Sequence, residues 1–259
     1  MTATRRPGAA SSGLSFRQEL ADCWYFLWHP TLRRLGRSAP VHDGLLRDWL
    51  PGIGFGRLMA WAGVLWAVNL FVLGPIAVAA AGAGGVSHRL DPDNIPWLTA
   101  VLWAPLAEEM LFRYGLRRPL QALWVCPVML PVVMFGPMGW TGALLACVLL
   151  VACLPLRGRP GRTVRFASWR RKYTGRYGLV FHMVAVAFAV SHLNNFTMSH
   201  PSSALLPLLV LPQWVTGLVL GWMRTRRGIG ASVALHAVFN AGPVLVIWVL
   251  TGLLPAAAR

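Results

Sequence analysis

The stretch LAEEMLFRYG places two adjacent carboxylates, Glu108 and Glu109, in an apolar run, with Arg113 one helical turn later. Residues four apart share a helix face, so Glu109 is the natural ion-pair partner of Arg113. That pairing leaves Glu108 in different surroundings, and neighbouring carboxylates treated differently have their pKa values pushed apart. A partly desolvated Glu108 is then a candidate general base. A charged side chain at mid-span costs at least ~2.5 kcal/mol on insertion scales, so such residues normally face a cavity or a partner. Beyond Asp93 these glutamates are the only acids in the chain. The alternative is an ion pair that merely locks helix packing.

Two further apolar stretches carry polar side chains. FAVSHLNN sets Phe188 and His192 four apart, with Asn194 and Asn195 following; LHAVFN sets His236 and Asn240 four apart, on one helix face. Either histidine alone reads as hydrogen-bonded packing. Three helices offering Glu, His, His and Asn to one interior can activate water, stabilise an oxyanion or bind a metal. His29, His42, His88 and His200 lie in connections, and His182 falls roughly 15 Å along its helix from His192.

The elements that must position these groups are membrane spans. Of 259 residues, 56% are hydrophobic, 13 are Trp and only 8 are acidic, which predicts an all-α polytopic membrane protein. Seven apolar segments stand out, approximately 57–80, 96–116, 120–136, 138–156, 178–194, 203–223 and 229–253. A span needs ~20 residues, so the third and fifth must tilt less or thin the bilayer locally. Basic residues crowd every second connection: the N-terminal region, Arg117 and Arg118, the stretch 157–177, and Arg224, Arg226 and Arg227. The alternate connections carry almost none. The positive-inside rule then predicts seven spans, N-terminus in the cytoplasm and C-terminus outside, with the arginines at the lipid headgroups. That accounts for the net charge of +16 without nucleic acid as a partner.

Residues 1–56 read as a cytoplasmic or interfacial segment and 57–253 as the transmembrane domain. Within the first, FRQELADCWYFLWHP is either an interfacial amphipathic helix with Trp24 and Trp28 at headgroup level or a helix packed on the bundle. No apolar h-region with a small-residue cleavage site opens the chain, so a cleaved signal peptide is not expected. Cys23, Cys126, Cys147 and Cys153 form no CxxC pair and read as small apolar filler. The basic stretch 157–177, with Trp169, Tyr173 and Tyr177, reads as a positive-inside connection with interfacial aromatics, or as a hold for anionic lipid or an acidic tail.

EEMLFR, FAVSH and HAVFN, each in its own predicted span and in this order, resemble the EExxxR, FxxxH and HxxxN/D motifs of the CPBP family, which groups type II CAAX prenyl endopeptidases with bacteriocin-processing and related bacterial membrane proteins. The resemblance covers about 96–245 and leaves out the first 95 residues. It implies an intramembrane endopeptidase acting on a membrane-associated protein or peptide tail from a cavity open to the cytoplasm. In that picture Glu108 activates water, His192 and His236 assist directly or bind a divalent ion, Asn240 supports the oxyanion, and Glu109 with Arg113 orders the site. Glu108, His192 and His236 are compatible with zinc and equally with a metal-free carboxylate base. The implied setting is a bacterial cytoplasmic membrane. The rivals are a proton- or cation-coupled transporter, which should show inverted repeats that the sequence lacks, and a non-catalytic scaffold using the polar cluster as helix glue. Depth fits poorly: counted from the cytoplasmic ends, Glu108 lies ~13 Å deep, His236 ~11 Å and His192 ~21 Å.

Overall fold

The computed structural model describes residues 14–33, 48–50, 52–89, 96–153, 164–198 and 203–253. The expectations for His42, His200 and the first part of the basic stretch 157–177 lie outside those residues. The described chain is mostly helical, because apolar segments leave the backbone no partner but itself. Its helices are α1 (Phe16–Trp28), α2 (Phe55–Ala83), α3 (99–117), α4 (Pro119–Phe135), α5 (Gly139–Cys153), α6 (Val164–Gly175), α7 (Tyr177–Ser191), the short α8 (Leu206–Leu209), α9 (Leu211–Arg226) and α10 (Ile229–Leu253). Among the described residues, three helical stretches are long and apolar enough to cross a membrane: Phe55–Ala83, Tyr177–Asn195 and Ile229–Leu250. Pro119–Phe135 and Gly139–Ala152 are apolar but shorter.

Two apolar clusters hold the helices together. One joins α1, α2, α7, α9 and α10 through Phe26, Trp61, Phe181, Trp222 and Leu235; the other joins α3, α4 and α5 through Met110, Tyr114, Met129 and Val148. Ile229, at the start of α10, belongs to the second cluster, while Leu235 belongs to the first. The inner face of α10 therefore lies at the seam between them. Many large apolar side chains point outward instead, among them Phe71, Val78, Leu123, Leu150, Leu179 and Trp248. This is the arrangement of a protein whose solvent is hydrocarbon.

In lipid, helices associate by close packing rather than by expelling water, and small residues allow it. On α9 a Cβ added at Gly221 would lie 2.7 Å from Cε2 of Phe181, and one at Gly217 would lie 3.0 Å from Cδ1 of Phe188. Two rings of α7 thus fit the places where α9 has no side chain. Tyr177 Oη and Thr225 Oγ1, 2.6 Å apart, continue the same antiparallel register.

The connections sort to two ends. At one end Arg117 donates to the carbonyls of Leu32 and Thr225, both at 2.9 Å, and Tyr173 Oη donates to Leu116 O at 2.8 Å. At the other, β1 (Val86–His88) pairs antiparallel with β2 (Phe196–Met198), joining the connection after α2 to the one after α7. Helix α1 is a helix packed on the bundle. It buries Glu19, Cys23 and Phe26 against the bundle and leaves Trp24 and Trp28 exposed.

The headgroup placement of the basic residues needs correcting at the α9–α10 turn. Arg224 and Arg226 are buried, and with Arg227 each takes an acid from the N-terminal region: Asp48 at 2.7 Å, Asp22 at 2.9 Å, and Glu19. Charge counting along a sequence cannot foresee pairing between residues 176 to 208 positions apart.

Candidate active site

Helix α3 is not a uniform α-helix. Turns of π-helix occupy Thr99–Trp103 and Glu109–Arg113, on either side of Ala104–Glu108. In the first, the Ala104 N–H reaches back to Thr99 O. The same i→i+5 pattern would pair Ala100 O with residue 105, but Pro105 has no N–H. Asn240 Nδ2 supplies the missing donor at 2.9 Å. In the second, the Tyr114 N–H bonds Glu109 O. Such π insertions re-aim side chains and recur at functional sites.

Glu109 and Arg113 remain face to face, Oε1 to Nη1 at 3.1 Å, both without exposed surface. The contact is charge to charge, without hydrogen-bond alignment at Nη1. The guanidinium also lies flat over a ring, its Cζ 3.6 Å from the Phe188 centroid, a cation–π contact strengthened by burial. Glu109 gathers two further partners from α10. His236 Nδ1 lies 3.0 Å from Oε1, and Ser232 Oγ donates to Oε2 at 2.5 Å.

The carboxylate fixes the tautomer of His236. With Nδ1–H donated to Glu109, Nε2 keeps its lone pair. That atom faces Glu108, whose Oε2 is 3.9 Å away and has no hydrogen-bond partner. The separation is too long for a direct hydrogen bond and suits a water held by both groups. Glu108 keeps 16% of its side chain exposed, against none for Glu109. The adjacent carboxylates thus have opposite surroundings.

Phe188 joins the third helix to the site. Its ring contacts His192, His236 and Phe112 with centroids at 4.5, 5.9 and 5.5 Å. His192 opens the 3₁₀ turn that follows α7, and its Nδ1 sits 2.8 Å from Phe188 O, which leaves Nε2 as an acceptor. It lies within electrostatic range of Glu108, His236 and Arg113. Helix α7 does begin at Tyr177, so the helix boundary used in the depth count holds. The gap to the other groups is spanned by ring contacts through Phe188. Asn240 is one turn beyond His236; one amide hydrogen serves Ala100, and the other remains for a further partner.

The metal expectation meets a geometric obstacle. Two ligands of one tetrahedral zinc sit about 3.3 Å apart, closer than Glu108 and His236. Among the described residues no three His, Cys, Asp or Glu side chains converge on one point.

Ser232 and Phe188 contribute more than their sequence signals suggested. Ser232, His236 and Asn240 recur at intervals of four, so the spacing that joined the last two also reaches Ser232.

A family model described as Type II CAAX prenyl endopeptidase Rce1-like matches residues 161–242. The match takes in Phe188, His192, Ser232, His236 and Asn240, ends before the last helix does, and does not extend to Glu108–Arg113. It agrees with the resemblance carried by the three motifs. No curated protein and no solved structure matches the chain.

Proposed function

We propose that the chain is an intramembrane endopeptidase that hydrolyses a peptide bond in a membrane-associated protein tail. The observation that carries this reading is His236 held by Glu109 at one nitrogen and facing Glu108 across a water-sized gap with the other. Glu108 takes a proton from a water whose position Nε2 of His236 orients. The water oxygen adds to the scissile carbonyl carbon, and the remaining amide hydrogen of Asn240 stabilises the oxyanion. Collapse breaks the C–N bond, and Glu108 returns the proton to the departing amine. His192 bounds the site on the α7 side, against the ring of Phe188. Arg113, Ser232 and Phe188 keep Glu109 and His236 in place.

The membrane arrangement belongs to the same proposal: seven spans, the N-terminus in the cytoplasm, and cleavage at or near the cytoplasmic face. It is supported by alternating basic connections that gather at one end of the bundle. The substrate would be a bacterial maturing peptide, sorting tail or membrane-anchored regulator in the cytoplasmic membrane.

The test is cleavage of lipid-anchored tail peptides in vesicles by wild type, Glu108→Ala, His192→Ala and His236→Ala. Wild type should cleave and each variant should lose at least about 10²-fold. Equal behaviour of all four would sink the peptidase reading in favour of a scaffold. Ion flux across the vesicles, lost in Glu108→Ala, would favour a transporter. A chelator should leave the wild-type rate unchanged.

A further inference from the structure

Residues 48 and 49, outside every motif, touch both halves of the candidate site's support. Asp48 is buried, with Oδ1 accepting from Arg224 Nη1 at 2.7 Å and Oδ2 lying 3.5 Å from Arg118 Nε. Arg224 has no exposed surface and spends its other donors on α3: Nε on Arg113 O at 3.1 Å and Nη2 on Tyr114 O at 3.2 Å. Those carbonyls lie in the last turn of α3, where intrahelical donors run out. The Arg118 N–H goes to Gly115 O and leaves Tyr114 O to Arg224. A cation there also meets the negative end of the helix dipole.

The same segment presses on the start of α10. Gly228 has φ +124°, and a Cβ there would lie 2.7 Å from Asp48 O; at Gly230 it would lie 1.7 Å from Trp49 O. Ser232 and His236 follow one and two turns later. Arg113, whose carbonyl Arg224 holds, is the residue whose guanidinium holds Glu109.

We propose that Asp48 is a positioning residue for the candidate active site, acting through Arg224 on the backbone of α3 that carries Glu109 and Arg113. The proposal rests on the peptidase reading for its catalytic consequence, but its structural half stands apart from it. Asp48 supplies the counter-charge that lets Arg224 remain buried, and Arg224 spans an acid and two carbonyls with the fork geometry only arginine has. The neighbouring pairs Arg226–Asp22 and Arg227–Glu19 secure the same turn without any contact to α3 among their recorded hydrogen bonds.

The test compares wild type, Asp48→Asn, Asp48→Glu, Arg224→Lys and Asp22→Asn in nanodiscs, by amide hydrogen exchange and by kcat and KM on fluorogenic lipid-anchored tail peptides. Asp48→Asn and Arg224→Lys should lower kcat about tenfold with KM within about twofold, and should speed exchange across 109–118. Asp48→Glu should recover most of both. Asp22→Asn should lower thermal stability and leave kcat and the 109–118 exchange as in wild type. Unchanged exchange and kcat in Asp48→Asn, or an equal kcat loss in Asp22→Asn, would overturn the proposal. Should Asp48→Asn not fold, Arg224→Lys, which keeps the charge, decides it. Exchange that responds as expected while wild type cleaves none of the peptides would leave the positioning intact and remove the peptidase reading.

Discussion

Glu108 and Glu109 are neighbours in the chain with different surroundings, and substitution should separate them. Glu109→Gln leaves Arg113 buried beside a neutral amide, a loss of about 3–5 kcal/mol when one partner of a buried pair is removed. Glu108→Gln touches a partly exposed group with no recorded hydrogen bond at Oε2, so stability should hold while cleavage falls by at least about 10²-fold. Denaturant or thermal unfolding beside peptide hydrolysis checks both. Ser232→Ala removes a hydrogen bond to a charged group, about 1.5–3 kcal/mol, and with it part of the restraint on His236. The pairing of Glu109 with Arg113 was legible because a four-residue interval settles which glutamate meets the arginine. Ser232 was not, because a mid-helix serine normally bonds a carbonyl of its own helix. Here it has an acceptor on α3.

At the scale of elements, hydropathy located the helices well: 120–136 became Pro119–Phe135, and 229–253 kept its bounds. The segment 203–223 hid a break, with α8 ending at Leu209 and α9 starting at Leu211, each with a proline in its first turn. The π turns of α3 were not legible either. The first of them sits where Pro105 withholds a donor and Asn240 of another helix replaces it. Pro105→Ala should let Ala100 O pair within α3 and release Asn240; turnover should fall while the melting temperature holds or rises. Gly217→Ala should push Phe188 and Arg113 off their places, at about 1–3 kcal/mol for an overpacked core. Thermal unfolding in detergent reads that loss, and accompanying loss of cleavage would tie it to the site.

For the whole molecule, the first fifty residues matter more than their polarity suggested. Helix α1 packs Cys23 against the bundle, where burial first and the nearby Asp22 second push its thiol up to about 12. A thiol raised that far stays neutral at pH 8, and the neutral form is a poor nucleophile. In a variant keeping only Cys23, maleimide should label the unfolded chain and spare the folded one. The apolar membrane-spanning helices were legible from hydropathy, but the final place of the positive charge was not. On the seven-span arrangement proposed above, the basic α9–α10 turn marks its side of the bilayer only while the chain is being inserted, since acids weigh little in that decision. Once Glu19, Asp22 and Asp48 have arrived, the same arginines are neutralised. One short sequence therefore serves twice in succession, as an address during biogenesis and as a fastening afterwards. A substitution that removed only the fastening would yield a chain correctly threaded and never closed.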